Sequence, residues 1–254
     1  MNSSNEPAHT PESTSTTPTR PRIGRAVGSK NSVPQARAVR TREAIIAVAA
    51  RHFDTNGYGH TSINTISGSG KFAKGAMYYH FPSKEAIAGH LISDWKRTVK
   101  ESISEELAAG ASTTVSQKLA AIFMSLAHQI AENTNLRAGM KLTLEPTINN
   151  GAAFAHWVDA ISDIIETAIT DGELTDTPTT HRLAWNLCAG TIGAANASAT
   201  LREDLDLATR IEDTVTAHLK SSQIGTVFDL KAVAEEWKYR YPTPSSSPTA
   251  SQGR

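Results

Sequence analysis

The chain has 254 residues, 39% of them hydrophobic, enough for one large or two modest globular cores. Its longest uninterrupted apolar run, Ala44–Ala50, falls far short of the ~20 residues that span a bilayer, so no membrane association is expected. The net charge of zero conceals a division: residues 1–100 carry 14 Lys/Arg against 6 Asp/Glu, and residues 101–254 carry 11 against 19. A basic module that suits a polyanion is thus joined to an acidic remainder. The single Cys188 excludes an intrachain disulfide. The Ser/Thr/Pro-rich start has no apolar core behind its first charges, so no signal peptide is expected, and a cytoplasmic location is.

Residues 1–37 are expected to form a disordered arm, rich in Ser, Thr and Pro and without aromatics. Its end is basic (Arg20, Arg22, Arg25, Lys30, Arg37), which suits either phosphate contact or simple solubility. From Thr41, a capping candidate, Ile45, Val48, Ala49, His52 and Phe53 recur on one helical face, and Asn56-Gly57 ends the segment. Thr61 or Ser62 caps a short helix bearing Ile63 and Ile66, with a break at Gly68, Gly70 and Lys71. A third short helix covers Lys74–His80. Pro82-Ser83 stops it and caps a long helix from about Lys84 to Leu107, along which Ile87, Leu91, Trp95, Val99 and Ile103 recur. Further helices are expected near Thr114–Asn133, Leu136–Leu144, Ala152–Thr170, Thr179–Leu201 and Asp206–Lys220. Residues 221–254 hold one short amphipathic piece, Leu230–Tyr239, and a Pro/Ser tail. The fold class is all-α, with a helix-turn-helix domain over residues 38–98 and a second helical domain over residues 99–220, for which ligand binding and dimerisation are what the family resemblance given below implies.

Three short helices with tight turns fit a helix-turn-helix whose last helix enters the major groove N-terminus first. Lys74 supplies charge at the entry, and Gly75 and Ala76 remove bulk there. Tyr78, Tyr79 and His80 offer hydroxyl and imidazole groups to phosphates or base edges, or pack as an aromatic core. Met77 and Phe81 are expected to pack the small domain. Thr61, Ser62 and Lys84 lie at helix starts, where free N–H groups favour phosphate. The stretch Thr41-Arg42-Glu43-Ala44-Ile45-Ile46, Phe53, Gly57-Tyr58, Thr61-Ser62-Ile63, Ile66 and Lys74–Glu85 closely resembles the tetracycline-repressor (TetR) family. That resemblance implies a DNA-binding domain reading a palindromic operator, a divergent helical ligand domain and a homodimer. The sequence departs from the family pattern at Thr65, Ser67, Lys71 and Ala73. With the glycines moved to 68 and 70, Lys71 is expected to take a positive φ, and Ala73 forfeits a cap worth ~1 kcal/mol.

In the acidic part, Leu136–Glu145, Trp157 and Asp171-Gly172-Glu173-Leu174 resemble the γ-butyrolactone receptors, repressors of the same family. The resemblance implies that Trp157 lines a pocket for a small signalling molecule of the butyrolactone or furan type. Plain core packing is the other reading of Trp157. Phe154, Met140, Leu144, Asn186 and Thr191 are the further lining candidates, chosen as a mostly apolar set with a few polar groups. The small residues from Gly190 to Ala197 suit either a dimer interface or close packing within one subunit. No P-loop, GxGxxG, HExxH or CxxC is present, so no catalysis, cofactor or metal is expected. The alternatives are a TetR-type regulator without a lactone ligand, an all-α carrier that does not bind DNA, and a module that recruits a DNA-bound partner.

Overall fold

The computed structural model describes residues 32–108, 114–200 and 206–221, and every element in them is an α-helix. The helices are α1 (Ser32–Asn56), α2 (Ile63–Ser69), α3 (Lys74–His80), α4 (Lys84–Ala108) and α5 (Val115–Glu132), then α6 (Thr134–Leu142), α7 (Ala153–Thr170), α8 (Pro178–His181), α9 (Leu183–Thr200) and α10 (Leu207–Ser221). Arg20, Arg22, Arg25, Lys30, Gly110 and the Leu230–Tyr239 piece lie outside the described residues.

Three expectations change. First, α1 begins at Ser32, inside the span assigned to the arm. Pro34 falls in its first turn, where a missing N–H breaks no helical bond. Thr41 is an interior residue whose Oγ1 donates to the Arg37 carbonyl at 2.9 Å, not a cap. Second, the helix expected from Thr179 is divided at Arg182, with Thr177 capping the short α8 through the Thr180 N–H. Third, Lys71 does not take a positive φ; among the described non-glycine residues only Ala152 does, at 51°. Helix α2 continues through Gly68, and Gly70 closes it in an extended conformation. An added Cβ at 70 would stand 2.0 Å from the Phe72 ring, which would have to swing aside.

Two apolar cores result. The first gathers Ile45, Ala49, Phe53, Ile66, Met77, Phe81, Ile87 and Leu91. The second gathers Trp95, Val99, Leu119, Phe123, Leu126, Met140, Trp157, Ile161 and residues of α9 and α10. The row along α4 is therefore divided between them, passing from one core to the other between Ile92 and Trp95. Helix α6 is divided as well: Ala138 and Leu142 belong to the first core and Met140 to the second. Gly139 permits this, because a Cβ there would lie 2.3 Å from the Leu91 carbonyl oxygen. Contact with α6 also explains why α1 buries Ile46 and Ala50 beyond its expected face. Thr114 and Gln117 form a capping box at α5, and Glu173 accepts from the Val115 N–H at 2.9 Å.

Candidate nucleic-acid interface and ligand cavity

Helix α3 is fixed by two anchors and presents the rest outward. Met77 and Phe81 are buried in the first core, while Tyr78 and Tyr79 are 47% and 82% exposed. Tyr79 meets His80 edge-on, with ring centroids 5.1 Å apart. A helix this short cannot bury every side, and this one buries only its anchors. Gly75 is exposed and Ala76 half-buried at the helix start. The Lys74 ammonium donates to Asn64 Oδ1 at 2.9 Å, tying the entry of α3 to α2. Ala73 caps α3 without a side-chain hydrogen bond. Ser62 is the N-cap of α2, accepting from the Thr65 N–H, and its side chain is exposed.

Thr61 and Lys84 are placed differently from expectation. Thr61 is buried; its hydroxyl donates to the Gly57 carbonyl at 2.8 Å and its N–H to the Tyr58 carbonyl at 3.2 Å. It closes the α1–α2 turn and has nothing left to offer a phosphate. The Lys84 ammonium donates to the Tyr58 carbonyl at 2.9 Å and sits 3.7 Å from the Tyr58 ring centroid. Cation–π attraction and that hydrogen bond hold it inside the domain, so it positions the turn before α2. Opposite, Arg42 lies over Phe81 at 5.0 Å and reaches His90 at 3.5 Å. Burial pushes His90 below the usual imidazole range; Asp94 opposes this, and Arg42 and Arg97 add to it.

Between α4 and α7 lies a cavity of about 280 Å³. Trp95, Val99, Ile103, Ala153, Trp157 and Ala160 form its apolar wall, and Lys96, Lys100, Ser104 and His156 supply its polar groups. The indoles of Trp95 and Trp157 meet edge-on at 5.1 Å, and Phe154 and Phe123 pack on Trp157. Both indole N–H groups are buried without a hydrogen-bond partner. Leaving such a donor unpaired costs ~1–3 kcal/mol.

Of the six proposed lining residues, only Trp157 reaches this cavity. Phe154 stands behind it as ring packing, and Met140 is fully buried in the second core. Leu144 is 49% exposed, because α6 ends at Leu142 and the chain turns outward there. Asn186 and Thr191 lie on α9, away from this wall, and the buried Thr191 hydroxyl donates to the Leu187 carbonyl at 2.8 Å. The α4 contribution was missed because its apolar row reads as a linker. The spacing of Trp95, Val99 and Ile103 at i, i+4, i+8, with lysines one position after Trp95 and Val99, was the available signal.

The two cores are joined by an ion cluster. Asp54 of α1 accepts from Arg137 at 2.9 Å and from Lys141 at 2.8 Å, both on α6. Arg137 also donates to the Ile130 carbonyl at 2.6 Å. Burial raises the Asp54 pKa, but the hydrogen bonds and charges of Arg137 and Lys141 outweigh it, and the net shift is downward. The sequence did not link these three residues, since the ion pair forms across more than eighty residues of chain.

An anchored, outward-facing third helix and a helical body around an apolar cavity define the class: a two-part helix-turn-helix protein. Residues 45–91 match the family model of the bacterial regulatory proteins, tetR family. The A-factor receptor protein of Streptomyces griseus is 34% identical over 142 residues, which are 55% of this chain and 48% of that relative. The HTH-type transcriptional regulator LmrA of Bacillus subtilis is 35% identical over 66 residues, 26% of this chain and 35% of that relative. The chain thus spans about half or less of the length of these curated relatives. Among solved structures, full-length native TylP, a TetR regulator of Streptomyces fradiae, is 26% identical with a TM-score of 0.59 over 81% of this chain and 99% of that one. A γ-butyrolactone receptor described as ArpA-like shares the fold at 23% identity, with a TM-score of 0.58 over 74% of this chain and 98% of that one.

Proposed function

We propose that this protein is a ligand-responsive DNA-binding transcriptional regulator, a repressor that binds a palindromic operator as a homodimer and leaves it when a small molecule of the butyrolactone or furan type binds. The observation that carries this reading is α3: Met77 and Phe81 fix the helix while Tyr78 and Tyr79 stand in solvent at its surface. Phosphates would be met by Ser62, Lys74 and His80, and base edges by Gly75, Ala76, Tyr78 and Tyr79. The similarity to the A-factor receptor protein supports the signalling class of the ligand. A homodimer is supported by Trp185, 56% exposed on α9 beside the small residues Ala189 and Gly193. The inner face of the same helix is already used within the subunit, where Gly190 packs on Thr214 of α10.

Release follows from geometry. Two recognition helices must match successive major grooves ~34 Å apart, so a ligand that favours another spacing weakens binding. Helices α4 and α6 give such a ligand a path, since each contributes to both cores. The test is fluorescence anisotropy on promoter fragments from the protein's own genomic neighbourhood. A shift that is lost in Tyr78→Ala/Tyr79→Ala, while the variant remains folded and dimeric, is the expected result. Unchanged binding by that variant would sink the direct reading by α3.

A further inference from the structure

The lining of the α4–α7 cavity is not what a neutral ligand requires. Lys96 and Lys100 lie one turn apart on α4, His156 faces them from α7, and no acidic residue lines the cavity among the described residues. The acids of the same stretch of α4 are engaged elsewhere: Arg97 holds Asp94 at 3.1 Å and Glu101 at 3.7 Å. Both lysines come from the basic first hundred residues, and the facing wall on α7 comes from the acidic remainder. Behind these basic groups the wall is apolar, and the two buried indole N–H groups lack acceptors.

We propose that this cavity selects an amphipathic anion: a short acyl or alkyl body carrying a carboxylate or an equally acidic group at one end. This rests on the ligand-responsive reading above and narrows its ligand class. The apolar body lies against Trp95, Val99, Ile103 and Ala160. The anionic end stays at the mouth between Lys96, Lys100 and His156, where charge-assisted hydrogen bonds form without burying an unpaired charge. A cavity of about 280 Å³ holds roughly ten non-hydrogen atoms at ~30 Å³ each.

The test is calorimetric titration of the full chain with three probes of one chain length: decanoate, decan-1-ol and γ-decalactone. Decanoate should bind at least about tenfold tighter than the two neutral probes. Lys96→Met/Lys100→Met should abolish that preference while leaving the neutral probes unchanged, since both side chains are exposed and their loss does not touch the core. Equal affinities, a preference that survives the double variant, or no binding of any probe at millimolar concentration would each overturn the proposal. Operator binding is followed in the same samples. Release of DNA by the lactone alone overturns the anion proposal and leaves the regulator standing. Decanoate preference in a protein that binds no promoter fragment does the reverse.

Discussion

The face of α3 and the wall of the α4–α7 cavity use aromatic side chains in opposite ways. Tyr78 and Tyr79 are held at the surface by the burial of Met77 and Phe81 on the same helix. Trp95 and Trp157 are themselves buried and meet only because two distant helices converge. The first arrangement is local and costs the fold nothing if its aromatics are removed. The second is part of the fold, so a change to the cavity wall is also a change to stability.

The sharpest way to break this comparison is Trp157→Ala. It removes a buried ring packed on Trp95, Phe123 and Phe154, and should cost ~3–5 kcal/mol in denaturant unfolding. Next, Asp54→Ala leaves Arg137 and Lys141 facing each other without their carboxylate. Allowing for partial access of solvent, a loss of ~2–4 kcal/mol is expected. Because the Asp54 pKa is lowered in the folded state, its contribution is present above the ordinary carboxylate value of ~3.9 and is lost as pH falls through the lower folded value. Acid titration of wild type against the variant should show the difference closing only at the acid end.

Gly139→Ala should cost ~1–3 kcal/mol, because the added methyl meets the Leu91 backbone rather than a movable side chain. Tyr79→Ala should change stability by no more than ~0.5 kcal/mol while weakening operator binding about tenfold, measured by chemical unfolding and anisotropy on one preparation. The smallest effect concerns His181, whose pKa is raised by hydrogen bonds to Asp176 and then Glu166. Any stability it adds is present below the ordinary imidazole value of ~6.5 and fades as pH rises through the higher folded value. An NMR titration of its ring should therefore have a midpoint above that value, and Glu166→Gln should bring it back down.

Legibility in the sequence followed the same division. Helix spacing and two of the expected caps were legible because those signals are local: Ser62 and Ser83 each accept a hydrogen bond from the first turn they cap. The exposed face of α3 was legible for the same reason. Thr61 and Lys84 bond to backbone carbonyls of the turn before α2, a placement that sequence alone does not distinguish from one facing solvent. The cavity wall was the hardest to anticipate. Trp157 was legible, but its partners Trp95, Val99 and Lys100 sit about sixty residues earlier, on a helix whose long apolar row reads as a simple connector. Asp54 with Arg137 and Lys141 fails for the same reason, being set by where α6 docks rather than by any spacing.

Helix α6 has a consequence for how the molecule melts. Its residues alternate between the two cores, its glycine admits the α4 backbone, and its cations hold α1. Neither half can lose this helix without exposing apolar surface in the other. The two halves should therefore denature as one cooperative unit, with coincident transitions followed by tryptophan fluorescence and by tyrosine exposure. Amides of α6 should exchange with solvent only by global opening, while those of α3 exchange through small local ones. The helix that makes the two halves a single folding unit is thus also the contact through which a change in one core would reach the other.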